Sequence, residues 1–406
     1  MRLLVIAFLV MGNAFAQGLT NEELSKRVEI LADEINQLKA YQMSVNKNES
    51  AYGLSPSASK VYHIPQGLSV GGYGEITYLH DRAEDQDGEA VDNDPTSEVL
   101  RNILYLGYKF NDKWLVNMEL EIEHVSDIFT EFMYLDYLHS QELNFRAGLM
   151  LHPIGFVNEL HEPTVFNGVL RPRVENVIIP TTWRELGVGV FGTSGKSTYK
   201  VYLMNGMNAE GFKTSSNRGG RKKGGAGESD DAQRTTTANL VFRYDFQATS
   251  NLMVGFSGLA GKASGETEDL DQAMISIHGE YISGGHKFRF LGVQNTFSNA
   301  DDWNEVAAAA NYVNNSQTGS YVEYSYTIAG KGGSKYVPFI RLEDINLQAD
   351  RADAVTKDDS LERQHITAGL AYFPLDRVVF KADYTKNTNG AETGVDQFAL
   401  GLGYNF

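Results

Sequence analysis

Three arginines, Arg171, Arg173 and Arg184, and four glutamates, Glu159, Glu162, Glu175 and Glu185, crowd into one stretch of a chain that is 21% charged overall. Fixed charges of opposite sign held across a gap do no covalent chemistry. They orient dipolar water and solutes, disfavour apolar ones, and select ion sign through their imbalance. The same side chains serve equally well as salt bridges tying the segment to its surroundings, and the two roles can coexist.

Other chemistries find less support. His152, His161 and Glu162 invite a metal reading, but His161-Glu162-Pro163 lacks the second histidine of H-E-x-x-H, so no metal is expected. No phosphate-cradling G-x-x-x-x-G-K-[ST] occurs. Ser276 and His278 would share one strand face, yet no third partner is evident. No enzyme and no cofactor are expected.

The charged stretch sits in a long connection, 153–183, with prolines at 153, 163, 172 and 180 and apolar Ile154, Phe156, Val165, Phe166, Val177, Ile178 and Ile179. That is not a disordered composition, and its apolar content demands burial. The flanking sequence alternates with period two. Sixteen candidate strands run from 68–80 to 395–406. Tight connections (111–113, 193–197, 283–286, 330–333, 374–376) alternate with long ones (81–98, 153–183, 208–236, 298–317, 347–361). The pattern predicts an all-β fold, a 16-stranded antiparallel transmembrane β-barrel, up and down, with a water-filled lumen. In 114–124, Trp114, Val116, Met118, Leu120 and Ile122 share one face, with Asn117, Glu119, Glu121 and Glu123 on the other. A charge facing mid-bilayer costs up to ~2–4 kcal/mol, less for glutamate, so this face lines the lumen or a subunit interface. Arg146, in 142–152, is placed inward likewise. A soluble barrel would alternate equally well but carry its polar face outside. The only space left for 153–183 is inside the barrel.

The chain stops on Asp396-Gln-Phe-Ala-Leu-Gly-Leu-Gly-Tyr-Asn-Phe406. Phe398, Leu400, Leu402, Tyr404 and Phe406 share one strand face, and small or polar residues the other. This strand resembles the terminal strand of Gram-negative outer-membrane barrels, and the His161-Glu-Pro163, Arg171-Pro-x-Val-Glu175 and Pro180-Thr-Thr-Trp-Arg-Glu185 strings resemble those of the porin superfamily, including relatives of phosphate- and dicarboxylate-type porins. The resemblance implies a third loop folded into the lumen as a constriction, a homotrimer, insertion by the barrel-assembly machinery through Phe406, and contact with outer-membrane lipid and lipopolysaccharide. It implies passive diffusion of ions and small hydrophilic solutes. A solute-selective anion or carboxylate channel, or a non-conducting anchor or adhesin, remains open.

Residues 1–16 read as a signal peptide: Arg2, an apolar run to Met11, and Ala14-Phe-Ala16 before Gln17. In 17–46, Leu24, Leu31, Leu38 and Val45 recur every seven residues with Val28 and Ile35 between them, predicting a periplasmic coiled coil. Residues 47–66 read as a linker and 67–406 as the barrel. The absence of cysteine suits passage through the oxidising periplasm. A net charge of −17 argues against nucleic acid. Acidic residues at 81–94 and the basic residues Lys213, Arg218, Arg221, Lys222 and Lys223 read as solvated loops.

Overall fold

The computed structural model describes residues 21–45, 48–221 and 237–406; the expected signal peptide, Lys222 and Lys223 lie outside them. Sixteen strands cross one closed sheet: β1 (Gly67–Asp81), β2 (Thr96–Lys109), β3 (Trp114–Glu123), β4 (Asp127–Leu138), β5 (Asn144–Leu151), β6 (Arg184–Ser194), β7 (Ser197–Asn205), β8 (Ala238–Gln247), β9 (Leu252–Ala263), β10 (Leu270–Ser283), β11 (His286–Phe297), β12 (Ser316–Tyr326), β13 (Lys335–Asp350), β14 (Glu362–Leu375), β15 (Val378–Asn389) and β16 (Gln397–Asn405). A two-residue strand, Ile328–Ala329, extends the turn into β13. The expected strands all exist, with ends displaced by four residues at most.

Each strand pairs antiparallel with its sequence neighbour, and β16 returns to β1, with Tyr73 opposite Asn405 and Asp81 opposite Gln397. Phe406 locks the seam. Its N–H donates to Gly72 O at 2.9 Å, and Gly72 N–H donates back to Phe406 O at 3.1 Å. Closure leaves no unpaired edge.

Alternation decides the two faces. On β3, Leu115, Asn117, Glu119 and Glu121 are buried inside, while Trp114, Val116, Met118 and Leu120 look outward. On β5, Asn144 and Arg146 are buried and Phe145 and Ala147 are exposed. The outer wall shows Leu104, Met133, Val188, Leu203, Ile277, Phe290, Val322, Leu342 and Leu400. A continuous apolar belt outside and charge inside fits hydrocarbon, not water. At the end bearing the short turns, outward aromatics gather: Tyr108 with Phe110, Trp114 with Tyr137, Tyr281 with Phe288, Tyr336 with Tyr372. Such a girdle belongs at a membrane interface.

Ahead of the barrel, α1 (Asn21–Val45) is a helix within the segment 17–46 expected to form a coil. Val28, Leu31 and Ile35 of its seam are 49–63% exposed. The side chains of Leu24, Leu38 and Val45 lie outside the described residues.

The described part of the expected spacer, residues 48–66, differs from that reading. From Ala51 to Ile64 the chain docks inside the barrel at its short-turn end, through a one-turn helix α2 (Lys60–His63). Leu54, Ala58, Val61 and Ile64 are buried. Each buried Leu, Val or Ile contributes about 1.5–3 kcal/mol, which outweighs the polarity that made the segment read as linker.

Candidate pore constriction

The connection from β5 to β6 folds into the lumen, as its apolar content required. Ile154, Phe156, Val174, Ile178, Ile179 and Trp183 are all buried there. A short helical turn, α3 (Val174–Val177), packs on β12 where the wall carries Gly319; a Cβ there would come within 2.7 Å of Ile178 Cδ1. The loop tip lies on the small face of β16, where a Cβ on Gly403 would meet Pro163 at 2.5 Å. The small residues of the terminal strand thus make room for the loop.

Two of the expected arginines come together inside the barrel. Arg171 and Arg173 face Arg341 of β13, Thr367 of β14, Asp383 and Thr385 of β15 and Gln397 of β16 around a gap of only about 10 Å³. Above it, towards the long loops, a cavity of about 370 Å³ is lined by Arg173, Arg363, His365, Asn387 and Asn389. A second cavity of about 250 Å³ brings Arg171 against Glu75, Arg101 and Glu123. Arg173 Nη2 lies 3.5 Å from Gln397 Oε1, and Arg171 donates to Thr181 Oγ1. Burial pulls both guanidinium groups below their ordinary range.

The expected row of glutamates opposite these arginines is corrected. Glu159 pairs with Lys200 Nζ at 2.5 Å. Glu162 accepts from Ser57 N at 2.8 Å, Ala58 N at 3.2 Å and Asn405 Nδ2 at 2.7 Å. Glu175 accepts from Phe156 N, Val157 N and Tyr321 Oη, each at 2.7 Å. Burial raises the Glu162 and Glu175 carboxyls, opposed by those donors. Arg184 is fully buried and donates to Glu131 Oε1 at 2.8 Å. Glu185 is buried on β6. The first four hold the loop and its neighbourhood in place. The carboxylates that face the arginines instead come from the wall: Asp383, with Glu323 and Glu343 bonded to Arg341 at 3.2 and 2.8 Å.

Glu119 and Glu121 lie inside, as expected, buried beneath the loop, and Glu123 is partly exposed. Arg146 points inward but is capped. It holds Asp136 through two bonds of 2.8 and 2.9 Å, and donates to Tyr62 of the docked N-terminal segment at 2.9 Å. Its guanidinium also sits 3.9 Å over the Tyr134 ring. Arg341 and Asp383, central to the neck, carried no motif. Their signal was only the inward parity of β13 and β15.

The enzyme-like fragments do not assemble. Gly67-Leu-Ser69-Val-Gly71 matches G-x-S-x-G in type but runs along β1, not around a strand-to-helix turn. His278 Nε2 bonds Asp245 at 2.7 Å, and Ser276 Oγ has no hydrogen bond. His161 faces neither His152, which stacks on Trp183, nor Glu162; it faces Glu119 and Glu131.

Comparison with known proteins gives one sequence relative and many structural ones. An uncharacterized protein of Aquifex aeolicus is 34% identical over 358 residues, covering 82% of this chain and 79% of that one. No protein-family profile matches. The barrel superposes on a loop L8 deletion mutant of OmpT, an outer-membrane protein of Vibrio cholerae (TM-score 0.52, 13% identity, 84% of this chain and 100% of that chain). It superposes similarly on Salmonella typhi OmpF in complex with daunomycin (0.52, 11%, 84% and 98%) and on the anion-selective porin of Comamonas acidovorans (0.50, 11%, 84% and 100%).

Proposed function

This chain belongs to the same family as the Aquifex aeolicus protein and has the porin barrel fold, and on that premise we propose that it is an outer-membrane channel that passes small hydrophilic anions, including carboxylates, by diffusion through an arginine-lined neck. The observation that carries the reading is the meeting of Arg171, Arg173 and Arg341 around a small gap beneath a polar vestibule. Guanidinium forks match carboxylate and phosphate oxygens bidentately and keep their charge at every working pH. Asp383 on the far side keeps the neck from becoming a trap, because conduction needs binding weak enough to release.

In this reading residues 1–16 direct export and are removed, and the short-turn end faces the periplasm. The seam of α1 joins two other copies in a trimeric coil, the apolar belt meets lipid and lipopolysaccharide, and Phe406 is recognised by the assembly machinery. No cofactor takes part. The test is planar-bilayer recording of detergent-extracted protein in a KCl gradient. Conductance steps in threes with an anion-selective reversal potential are expected.

A second reading rests on a specific observation. Residues 51–64 occupy the short-turn end of the lumen against β3 and β4, and the loop reaches across to β12 and β16. A barrel plugged in this way would act as an anchor. Silence from protein whose folding is verified by heat-modifiable migration would favour it.

A further inference from the structure

Three side chains that the neck does not use converge behind the loop. His161 comes from the loop, Glu119 from β3 and Glu131 from β4, beside a register shift in the β3–β4 pairing. One ligand-capable atom of each lies within 4.8 Å of the others, and all three residues are at most 1% exposed. His161 Nε2 is 3.3 Å from Glu119 Oε1 and 3.7 Å from Glu131 Oε2.

Hydrogen bonding shows which ring nitrogen is left for a ligand. His161 Nδ1 lies 2.9 Å from Asn158 O, and a carbonyl only accepts. Nδ1 therefore carries a hydrogen, and Nε2 turns towards two carboxylates, a contact that needs a proton or a metal cation at Nε2. Lone pair against carboxylate is repulsive without a cation between them. Glu119 Oε2 and Glu131 Oε2, both buried, have no hydrogen-bond partner.

Charge counting points the same way. Arg101 is shared among Glu75, Glu121 and Glu123, and Arg184 serves Glu131. With Glu119 there are five carboxylates, and Arg171, beside Arg101, and Arg221, beside Arg184, add two cations to these two arginines. The group stands one positive charge short. Glu162, already held by three N–H donors, does not lessen the deficit.

We propose that Glu119, Glu131 and His161 bind one divalent transition-metal cation that clamps the constriction loop to the barrel wall. Metal–ligand bonds of about 2.0–2.2 Å put adjacent donor atoms roughly 3–3.6 Å apart, which the 3.3 Å contact already meets and the 3.7 Å contact nearly meets. One imidazole with two carboxylates suits Mn²⁺, Fe²⁺ or Zn²⁺; Ca²⁺ and Mg²⁺ prefer all-oxygen shells. The cation would tie the loop to β3 and β4.

The test is made on full-length folded protein, purified without chelator. Elemental analysis should find about one such metal per chain. After chelation, Co²⁺ titration should restore one equivalent, with visible d–d absorption. H161Q and E119Q should each abolish that band while retaining heat-modifiable migration. Absence of metal as purified together with no Co²⁺ band at roughly millimolar metal would overturn the site, whether or not the variants fold. Full stoichiometry in folded H161Q would overturn it too. A shared proton, and no metal, would then bridge the carboxylates. The readout is stoichiometry, which does not depend on whether the barrel conducts.

Discussion

Glu162 of the constriction loop takes the side-chain amide of Asn405, the penultimate residue of the chain, at 2.7 Å. The same carboxylate accepts the backbone N–H groups of Ser57 and Ala58 through its other oxygen. One glutamate therefore joins the loop, the closing strand and the docked N-terminal segment. A side chain engaged in this way is an anchor, which leaves the arginines to set the character of the neck.

Charge reversal of those arginines is the most direct check. In Arg171→Glu with Arg173→Glu, the reversal potential in a KCl gradient should move towards cations. The permeability ratio should change by roughly tenfold, as ~1.4 kcal/mol of altered barrier would give. An unchanged reversal potential removes both residues from the conduction path.

Lys200 and Glu159 form a buried pair, so breaking it from one side should be strongly destabilising. Lys200→Met leaves a buried carboxylate unpaired, worth about 3–5 kcal/mol of stability. Replacing both by Met should recover most of that loss. Urea unfolding in detergent, followed by migration shift, measures the cycle; additive losses would mean that the two do not interact.

Tyr62 donates to Asp136 Oδ2 at 2.7 Å and receives Arg146 Nη2 at 2.9 Å. Tyr62→Phe should loosen the docked segment at a cost of about 1–3 kcal/mol. Deleting residues 51–64 should raise single-channel conductance, because that segment occupies the short-turn end of the lumen. Equal conductance with and without it would mean that the path runs wholly along the opposite wall.

Acid should weaken the loop through His152. Burial, opposed only by the backbone of Trp183, pushes this imidazole down to about 3, well below its ordinary value near 6.5. The unfolded chain then binds the proton first. Stability from keeping the ring neutral is whole above about pH 6.5 and declines as pH falls towards about 3. Unfolding midpoints between pH 7 and pH 3.5 should show this slope, and His152→Phe should flatten it.

The seam of α1 should govern assembly. Leu31→Asp with Ile35→Asp should shift chemically cross-linked trimers towards monomers while leaving the barrel folded. Trimers that persist would assign the contact to the barrel walls.

Much of this architecture was legible from local pattern. Period-two alternation in Trp114–Glu123 marks both the strand and its inner face, because successive strand residues must point opposite ways and a glutamate cannot face hydrocarbon cheaply. Apolar, proline-rich 153–183 predicts its own burial, and a closed barrel offers one place for it. The roles of single charges were not legible. Arg171 and Arg184 look alike in sequence, yet one rims the neck and the other is taken up by Glu131, fifty-three positions away. Polar 51–64 reads as spacer until its few apolar residues find the inner wall, and His161 meets Glu119 and Glu131 only when the barrel closes. The chain itself determined the strands, their faces and the in-turned loop, since these follow from neighbours along the backbone. Which charges pair and which remain to meet a solute was decided by the tertiary structure, because pairing depends on distances that strand order and register create across the lumen.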